Sequence, residues 1–362
     1  MIKRIIFAAG GTGGHIFPAV AVADEIRKMN RNAEILFIGA KGRIEENIIP
    51  KCGYDLETLT ITGFSRSVSP KNIKNLYRLV SSVRASRKIL EHFKPEIVFG
   101  TGGFVSGPAL WASSRMKIPT VIEEGNSYPG VTVRILSKRA DKVIINFEET
   151  KQYLKRKDNV VVMPYPVRKN LKKQPKGEAL REFGLDENKK TLFVFGGSQG
   201  AHPVNEALLN ILPELAENGY QLIWQTGVRD YDDVLQKCRQ YSNIKAFKFL
   251  DNMDTAYSAS DLVICRSGIS TVMELAYFGS AAILVPFPYA SENHQEKNAR
   301  TLVKKNAAEI LLDSELNASL KEKIFTLFSS ENRMQELKKN ISEIADGDAA
   351  YKIAMLLEET AN

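Results

Sequence analysis

The sequence predicts an α/β protein built from two doubly wound, Rossmann-like parallel-sheet domains facing each other across a cleft. Three observations lead there. Short β-branched runs alternate with amphipathic stretches from end to end, the pattern of parallel strands joined by crossover helices. The same opening occurs twice, RIIFAAGGTGGH at 4–15 and TLFVFGGSQGAH at 191–202, each time a strand, a glycine-rich turn and a helix. The length, 362 residues, is too great for one comfortable core and suits two.

In the first half the strand candidates are Arg4–Ala8, Glu34–Ile38, Ile97–Phe99, Thr120–Glu123 and Lys142–Ile145. Most are continuously apolar, as strands buried on both faces read. Helical patterns lie between them, beginning with Ala19–Met29. Ser69–Phe93 reads as a helix after Pro70, with Ile73, Tyr77, Val80 and Val83 on one stripe and Lys71, Lys74, Arg78, Arg84, Arg87 and Lys88 around it. That stripe suits a core face with a basic back as well as it suits a membrane surface. Lys151–Lys190 then carries twelve Lys and Arg, three prolines and little strand character. The interdomain connection is expected inside it, over 164–190, after a first domain at 1–163. The second domain, 191–345, has strand candidates Thr191–Phe195, Gln221–Gln225, Ile244–Phe247, Leu262–Cys265 and Ala282–Val285, with a helix over Val204–Glu217. In the last stretch, 346–362, Asp348–Glu359 reads as a helix that returns to pack on the first domain.

Composition narrows the class. Charged residues at 25% and hydrophobic ones at 44% describe a folded chain, not a disordered or fibrous one. Cys52, Cys238 and Cys265 are odd in number and far apart, so neither a disulfide framework nor a cysteine zinc site is expected, and a reducing compartment is. The first apolar run ends after five residues at a glycine loop, so no signal peptide is expected, and no eighteen-residue apolar stretch suggests a membrane span. Residues 1–200 hold 34 Lys and Arg against 19 Asp and Glu, residues 201–362 hold 16 against 23, and the whole chain carries +8. A first half this basic suits an anionic membrane or a phosphorylated substrate. Without interleaved aromatics it argues little for nucleic acid, which is not expected as a partner.

Three glycine-rich turns follow strands, at 10–14, 100–103 and 196–200. Turns without Cβ atoms let backbone N–H groups approach an anion, and a helix N-terminus behind them favours phosphate. None has the dinucleotide or triphosphatase spacing, so a diphosphate is the better ligand. The segment Arg266–Glu274 follows a strand, with Ser270 and Thr271 set to cap a helix and Glu274 able to accept both hydroxyls of a ribose. Ser291-Glu292-Asn293-His294-Gln295 is a polar loop suited to sugar hydroxyls. His15 directly follows Gly14 at a helix start, where an imidazole stays neutral and can serve as a general base. The D-x-D strings at 230–232 and 346–348 lie away from strand ends, and no metal site is expected.

Taken together, the motifs GGTGGHIFPA (10–19), KPEIVFGTGGFVSGP (94–108), GNSYPG (125–130), PVR (166–168), GGSQGA (196–201), WQTG (224–227), CRSGISTVMELA (265–276), PFP (286–288) and NHQEKNA (293–299) resemble, in order, the bacterial peptidoglycan glycosyltransferases that convert lipid I to lipid II. The resemblance implies the GT-B fold. It implies transfer of N-acetylglucosamine from UDP-N-acetylglucosamine to the C4 hydroxyl of the N-acetylmuramyl group of undecaprenyl-linked lipid I, with inversion. No cofactor or obligatory metal is implied. The location implied is the cytoplasmic face of the membrane, held peripherally.

Residue by residue, it implies that Thr12, Gly13 and Gly14 line the cleft with His15 near the acceptor hydroxyl. The loop containing Gly102, Gly103 and Phe104 would hold the acceptor pyrophosphate. Asn126 would touch the donor sugar, Arg168 and Ser198 the donor phosphates, and Leu250 the uracil through its backbone. Ile269, Ser270, Thr271, Val272, Met273 and Glu274 would cover phosphate and ribose, and His294 and Gln295 would read the sugar hydroxyls. Where that family has His-Glu-Gln-Asn, this chain has Glu123-Glu124-Gly125-Asn126; Pro164-Tyr165 and His202 are further departures. The alternatives are a related UDP-sugar enzyme of the same fold, such as a glycolipid synthase or a 2-epimerase, and a non-catalytic membrane-associated homologue.

Overall fold

The computed structural model describes residues 1–61, 71–168, 171–197 and 199–362, with side chains in the segment after 70 described from Tyr77 onward. Ile73 and Ser198, both singled out above, have side chains outside the described residues. The chain divides into two compact units, residues 1–169 with 346–362, and residues 170–345.

The first unit runs β1 (Arg4–Ala8), α1 (Gly13–Met29), β2 (Glu34–Ala40), α2 (Glu45–Lys51), β3 (Asp55–Leu59), α3 (Lys71–Phe93), β4 (Ile97–Gly100), α4 (Gly103–Arg115), β5 (Thr120–Glu124), α5 (Val131–Leu136), β6 (Lys142–Ile145) and β7 (Val160–Val162). Its strands form one parallel sheet in the order β3-β2-β1-β4-β5-β6-β7. One face carries Ile5, Phe7, Phe99, Val121 and Ile144 against Ile16, Ala19 and Ile26 of α1. The other carries Ile6, Val98, Ile122 and Val143 against Val105 and Leu110 of α4 and Leu90 of α3.

The second unit runs α6 (Lys176–Glu182), β8 (Thr191–Phe195), α7 (His202–Asn210), α8 (Leu212–Glu217), β9 (Gln221–Gln225), α9 (Tyr231–Cys238), β10 (Ile244–Phe247), α10 (Met253–Ala259), β11 (Leu262–Cys265), α11 (Ile269–Phe278), β12 (Ala281–Leu284), α12 (His294–Lys304), β13 (Glu309–Ile310), α13 (Leu316–Ser329) and α14 (Glu331–Ser342). Its strands are again parallel, in the order β10-β9-β8-β11-β12-β13. The stretch read as a connection is divided: Tyr165 bonds within the first unit, while α6 packs on α10 of the second and Lys176 pairs with Asp261 at 2.6 Å. The single helix expected over 204–217 breaks at Ile211, because Pro213 lies in the first turn of α8 and cannot continue α7.

The last helix, α15 (Ala349–Ala361), belongs to the first unit. Its Ala350, Ile353, Ala354 and Leu357 join the core around α1 and β1, and the Glu358 carboxylate accepts the Ile2 N–H at 2.8 Å.

Strand order reverses at β1/β4 in the first sheet and at β8/β11 in the second. Open α/β sheets bind ligands beyond the strand C-termini at such switch points. The glycine turns at 10–14 and 100–103 follow β1 and β4, and the turns at 196–200 and 266–268 follow β8 and β11.

Candidate active site

In the first unit the two glycine turns meet. The His15 ring lies on the Gly102–Gly103 backbone: a Cβ at Gly103 would sit 3.1 Å from its Cδ2 and 3.2 Å from its Nε2. Phe104 reaches back to Gly11, 3.4 Å from where a Cβ there would be. The His15 carbonyl accepts the Thr101 hydroxyl at 2.6 Å and the Gly14 carbonyl accepts the Tyr165 hydroxyl at 2.6 Å, which fixes the first turn of α1. Thr12 is the N-cap of α1 and Gly102 that of α4, and neither helix has an acidic residue in its first turn. Thr12, Gly13, Gly14, His15, Gly102, Gly103 and Phe104 are therefore brought together at two helix N-termini with the positive ends of their dipoles left open to an anion.

What holds the first turn in shape was not read from the sequence. Glu45, fully buried at the start of α2, accepts the Gly11 N–H at 3.1 Å and the Ala40 N–H at 2.8 Å. It fits only because both neighbours lack a Cβ: one at Gly10 would lie 2.2 Å from Oε1, and one at Gly39 would lie 2.7 Å from Cγ. A buried acid at the start of a short helix gives no local signal of this role.

The glutamate pair at the end of β5 splits across the sheet. Glu124 accepts the Asn126 N–H and Nδ2 at 3.0 Å each and the Gly130 N–H at 2.7 Å, so it shapes the 125–130 loop and orients Asn126. Burial raises its pKa, opposed by those hydrogen bonds and by the Arg134 charge. Glu123 is 1% exposed, and neither of its carboxylate oxygens has a hydrogen-bond partner among the described residues. Burial, and then the neighbouring Glu124 charge, pushes its pKa up to about 8. Arg168 sets its guanidinium 5.1 Å from the Phe17 ring centroid on α1.

In the second unit the helix after β11 starts two residues earlier than a cap at Ser270 would place it. Gly268 is the N-cap, so Ser270 and Thr271 fall within the first turn of the helix and not at its cap. The cause is that Gly268 already has extended cap geometry, with φ −66° and ψ 146°. No acid stands in this first turn either. Ile269, Val272 and Met273 are buried in the core, whereas Glu274 in the second turn, 5% exposed, accepts the Tyr257 hydroxyl at 3.1 Å.

Gln295 sits beside that N-terminus, its Nε2 4.0 Å from where a Gly268 Cβ would be. Its side-chain carbonyl accepts the Phe287 N–H at 2.9 Å, and its main-chain carbonyl accepts the Ser267 hydroxyl at 2.8 Å. His294 donates Nδ1–H to the Ser291 carbonyl at 2.7 Å, which makes Nε2 the acceptor of the neutral ring. The Leu250 N–H is already donated to Gln225 Oε1 at 2.9 Å, so a uracil contact through that N–H would have to displace it.

Gln225 also donates to the Gly197 carbonyl at 3.0 Å, making it the brace between the 196–200 turn and the loop after β10. Arg266 pairs with Asp313 and donates to the Val285 and Pro286 carbonyls at 3.1 and 3.2 Å, so it ties β11 to the 286–288 loop. Neither role was read from the sequence, although both residues stand inside the motifs quoted above. Among the described residues no three His, Cys, Asp or Glu side chains gather as metal ligands. Asp230 is taken up by His202 and Asn205, at 2.9 and 2.7 Å, and Asp346 pairs with Lys352.

Two Rossmann-like units with acid-free helix starts beyond their strand ends are the architecture of nucleotide-sugar enzymes. Residues 5–145 match the glycosyltransferase family 28 N-terminal domain and residues 191–352 its C-terminal domain. The chain belongs to glycosyltransferase family 28 and has the GT-B fold. It is 41% identical over 363 residues to the UDP-N-acetylglucosamine–N-acetylmuramyl-(pentapeptide) pyrophosphoryl-undecaprenol N-acetylglucosamine transferase of Christiangramia forsetii, covering 99% of this chain and 98% of that one. It is 37% identical to the protein of the same name from Finegoldia magna, covering 94% of each. The crystal structure of Acinetobacter baumannii MurG superposes with a TM-score of 0.78 at 26% identity, over 99% of both chains. A Listeria monocytogenes protein described as a putative UDP-N-acetylglucosamine 2-epimerase shares the fold, with a TM-score of 0.72 at 12% identity.

Proposed function

We infer that the protein transfers N-acetylglucosamine from UDP-N-acetylglucosamine to the C4 hydroxyl of the N-acetylmuramyl group of lipid I, forming lipid II. The observation that carries this reading is the pair of acid-free helix N-termini, α1 and α4, with the His15 ring laid on the second. A pyrophosphate-linked acceptor needs such N–H groups, and its hydroxyl needs a base beside them. In the reaction His15 takes the hydroxyl proton, the acceptor oxygen bonds to C1 of the donor sugar, and the C1–phosphate oxygen bond breaks. The product is β-linked from an α-linked donor. UDP leaves with the electron pair, its charge stabilised by the N–H groups that open α11, with Arg168 and Ser198 as further contributors. Glu274, steadied by Tyr257, takes the ribose hydroxyls, and Gln295 with His294 reads the sugar. The charge on UDP is met by helix N-termini and side chains, and the mechanism requires no metal.

A lipid-borne acceptor requires an anionic membrane surface, and two exposed features of the first unit support one. On α3, Tyr77 is 73% and Val80 43% exposed among basic residues, whereas Val83 turns inward to the core. Val131, Ile135 and Tyr153 are exposed beside Arg134, Lys138 and Lys155, which line a cleft of about 460 Å³ with them. Among the described residues no helix is long and apolar enough to cross a membrane, which fits peripheral attachment to the cytoplasmic face.

The test is a radiolabel transfer assay with UDP-N-acetylglucosamine and a lipid I analogue, run beside UDP-glucose and beside an arm without acceptor. Label should reach the analogue from the first donor alone. Conversion of the donor without acceptor would favour a 2-epimerase. Binding to anionic vesicles without any transfer would favour a non-catalytic homologue.

A further inference from the structure

Successive residues of a strand take opposite faces of the sheet. Glu123 therefore shares the face of Val121, which packs in the core of α1 and α15. Thr101 and Asn146 extend the same face on either side, past Phe99 of β4 and Ile144 of β6. The result is a buried polar layer under the start of α1. Thr101 holds the His15 carbonyl, Tyr165 holds the Gly14 carbonyl, and Asn146 donates Nδ2 to the Met163 carbonyl at 2.7 Å. Asn146 Oδ1 is buried with no partner among the described residues, as are both oxygens of Glu123. Glu123 pairs with Ile144 of β6, and Asn146 follows two residues later, just past the end of that strand. The Glu123 main-chain oxygen and His15 Cε1 lie 3.4 and 3.5 Å from one point, the place of a Cβ on Gly102.

A carboxylate here would be a buried anion with no donor to meet it, whereas a carboxylic acid brings one O–H for which Asn146 Oδ1 is an unfilled acceptor. The titratable and charged groups nearby give the anion no help. His15 stands on α1 and Tyr165 beyond β7, both committing main-chain or hydroxyl groups to the turn. The buried residues of α15 are Ala349, Ala350, Ile353, Ala354, Leu357 and Glu358, whose carboxylate accepts the Ile2 N–H, and Glu124 across the sheet adds negative charge beside its Arg134.

We propose that Glu123 is a positioning residue that works uncharged: as a carboxylic acid it completes the polar layer beneath α1 and keeps His15 and the Gly102–Gly103 turn in place for transfer. The pKa of about 8 agrees, since the group then keeps its proton at neutral pH. This proposal rests on the transferase reading above.

The experiment is the pH profile of kcat and of the UDP-N-acetylglucosamine KM for the full chain and for Glu123→Ala and Glu123→Gln, with thermal melts over the same range. The wild-type kcat should fall above about pH 8 toward the level of Glu123→Ala while KM stays level. Glu123→Ala should lose roughly tenfold in kcat, and Glu123→Gln, isosteric and never charged, should restore most of it and abolish the alkaline fall. The melts carry the sign independently of activity. The folded-state pKa lies above the ordinary 4.5, so the stability contribution is full below about 4.5 and is lost as pH rises toward about 8. The wild-type Tm should therefore decline over that window relative to Glu123→Gln. An alkaline fall that persists in Glu123→Gln, a glutamine variant as slow as the alanine one, or parallel melting curves would overturn the proposal. A wild-type protein that transfers nothing at any pH would defeat the transferase reading instead, and the melts would still decide the state of Glu123.

Discussion

Two side chains in the first unit, Glu45 and His15, serve the first glycine turn in different ways. Glu45 is ringed by N–H groups and holds the first glycine turn in its anion-ready shape. Glu45→Ala should cost about 3 kcal/mol in urea denaturation, because it leaves the Gly11 and Ala40 N–H groups buried without acceptors. Glu45→Gln, which keeps one carbonyl oxygen, should cost less. His15 has a different signature. His15→Ala should lower kcat by ~10²–10⁴-fold and leave the KM for UDP-N-acetylglucosamine nearly level, since the ring is asked to act on the acceptor proton and not on the donor. Steady-state kinetics with varied donor would show a base in kcat alone. The glycine loops, His15 and Glu274 stand out in the sequence because residue type and position after a strand single them out. Glu45, Gln225 and Arg266 do not, because each acts on backbone far away in sequence and nothing local marks it.

At the scale of elements, the 196–200 turn is locked against the turn after β9. Gly200 has φ +78°, and a Cβ there would meet the Thr226 carbonyl oxygen at 2.0 Å. Gly219 has φ +72° but nothing within 4 Å of its would-be Cβ. Gly219→Ala should thus show only the cost of the backbone conformation, about 1 kcal/mol, while Gly200→Ala should lose that and more through displacement of the turn. Calorimetry of the pair, with UDP titration, separates strain from steric clash; equal losses would mean the turn gives way freely.

The ten expected strands all form, and β3, β7 and β13 were missed. All three are sheet edges. An edge strand is covered on fewer sides: β3 reads DLETL with alternating exposure, and β13 spans only Glu309–Ile310. Neither supplies the continuous apolar run that announced the central strands. The misplaced cap at Ser270 has a similar origin, since a glycine in extended conformation does the same work with no side chain to see.

For the molecule as a whole, the closing helix is the element on which the first unit depends from outside its own sequence range. Deletion of 346–362 strips Ile353, Ala354 and Leu357 from the core around α1 and removes the acceptor of the Ile2 N–H. Calorimetry of the truncated chain should show the first unit's transition lowered by many degrees or lost, with that of residues 170–345 unchanged. Equal destabilisation of both units would show that the helix serves something other than its own core.

That arrangement also orders events at the ribosome. Domains usually acquire their native packing as they emerge, amino end first. Here β1 stands inside its sheet, yet the apolar cover for α1 is made only after residues 170–345. Residues 170–345 are complete before that cover leaves the exit tunnel. The nascent first unit must therefore wait, with an oily flank uncovered, until residues 346–362 have followed the whole of the second unit.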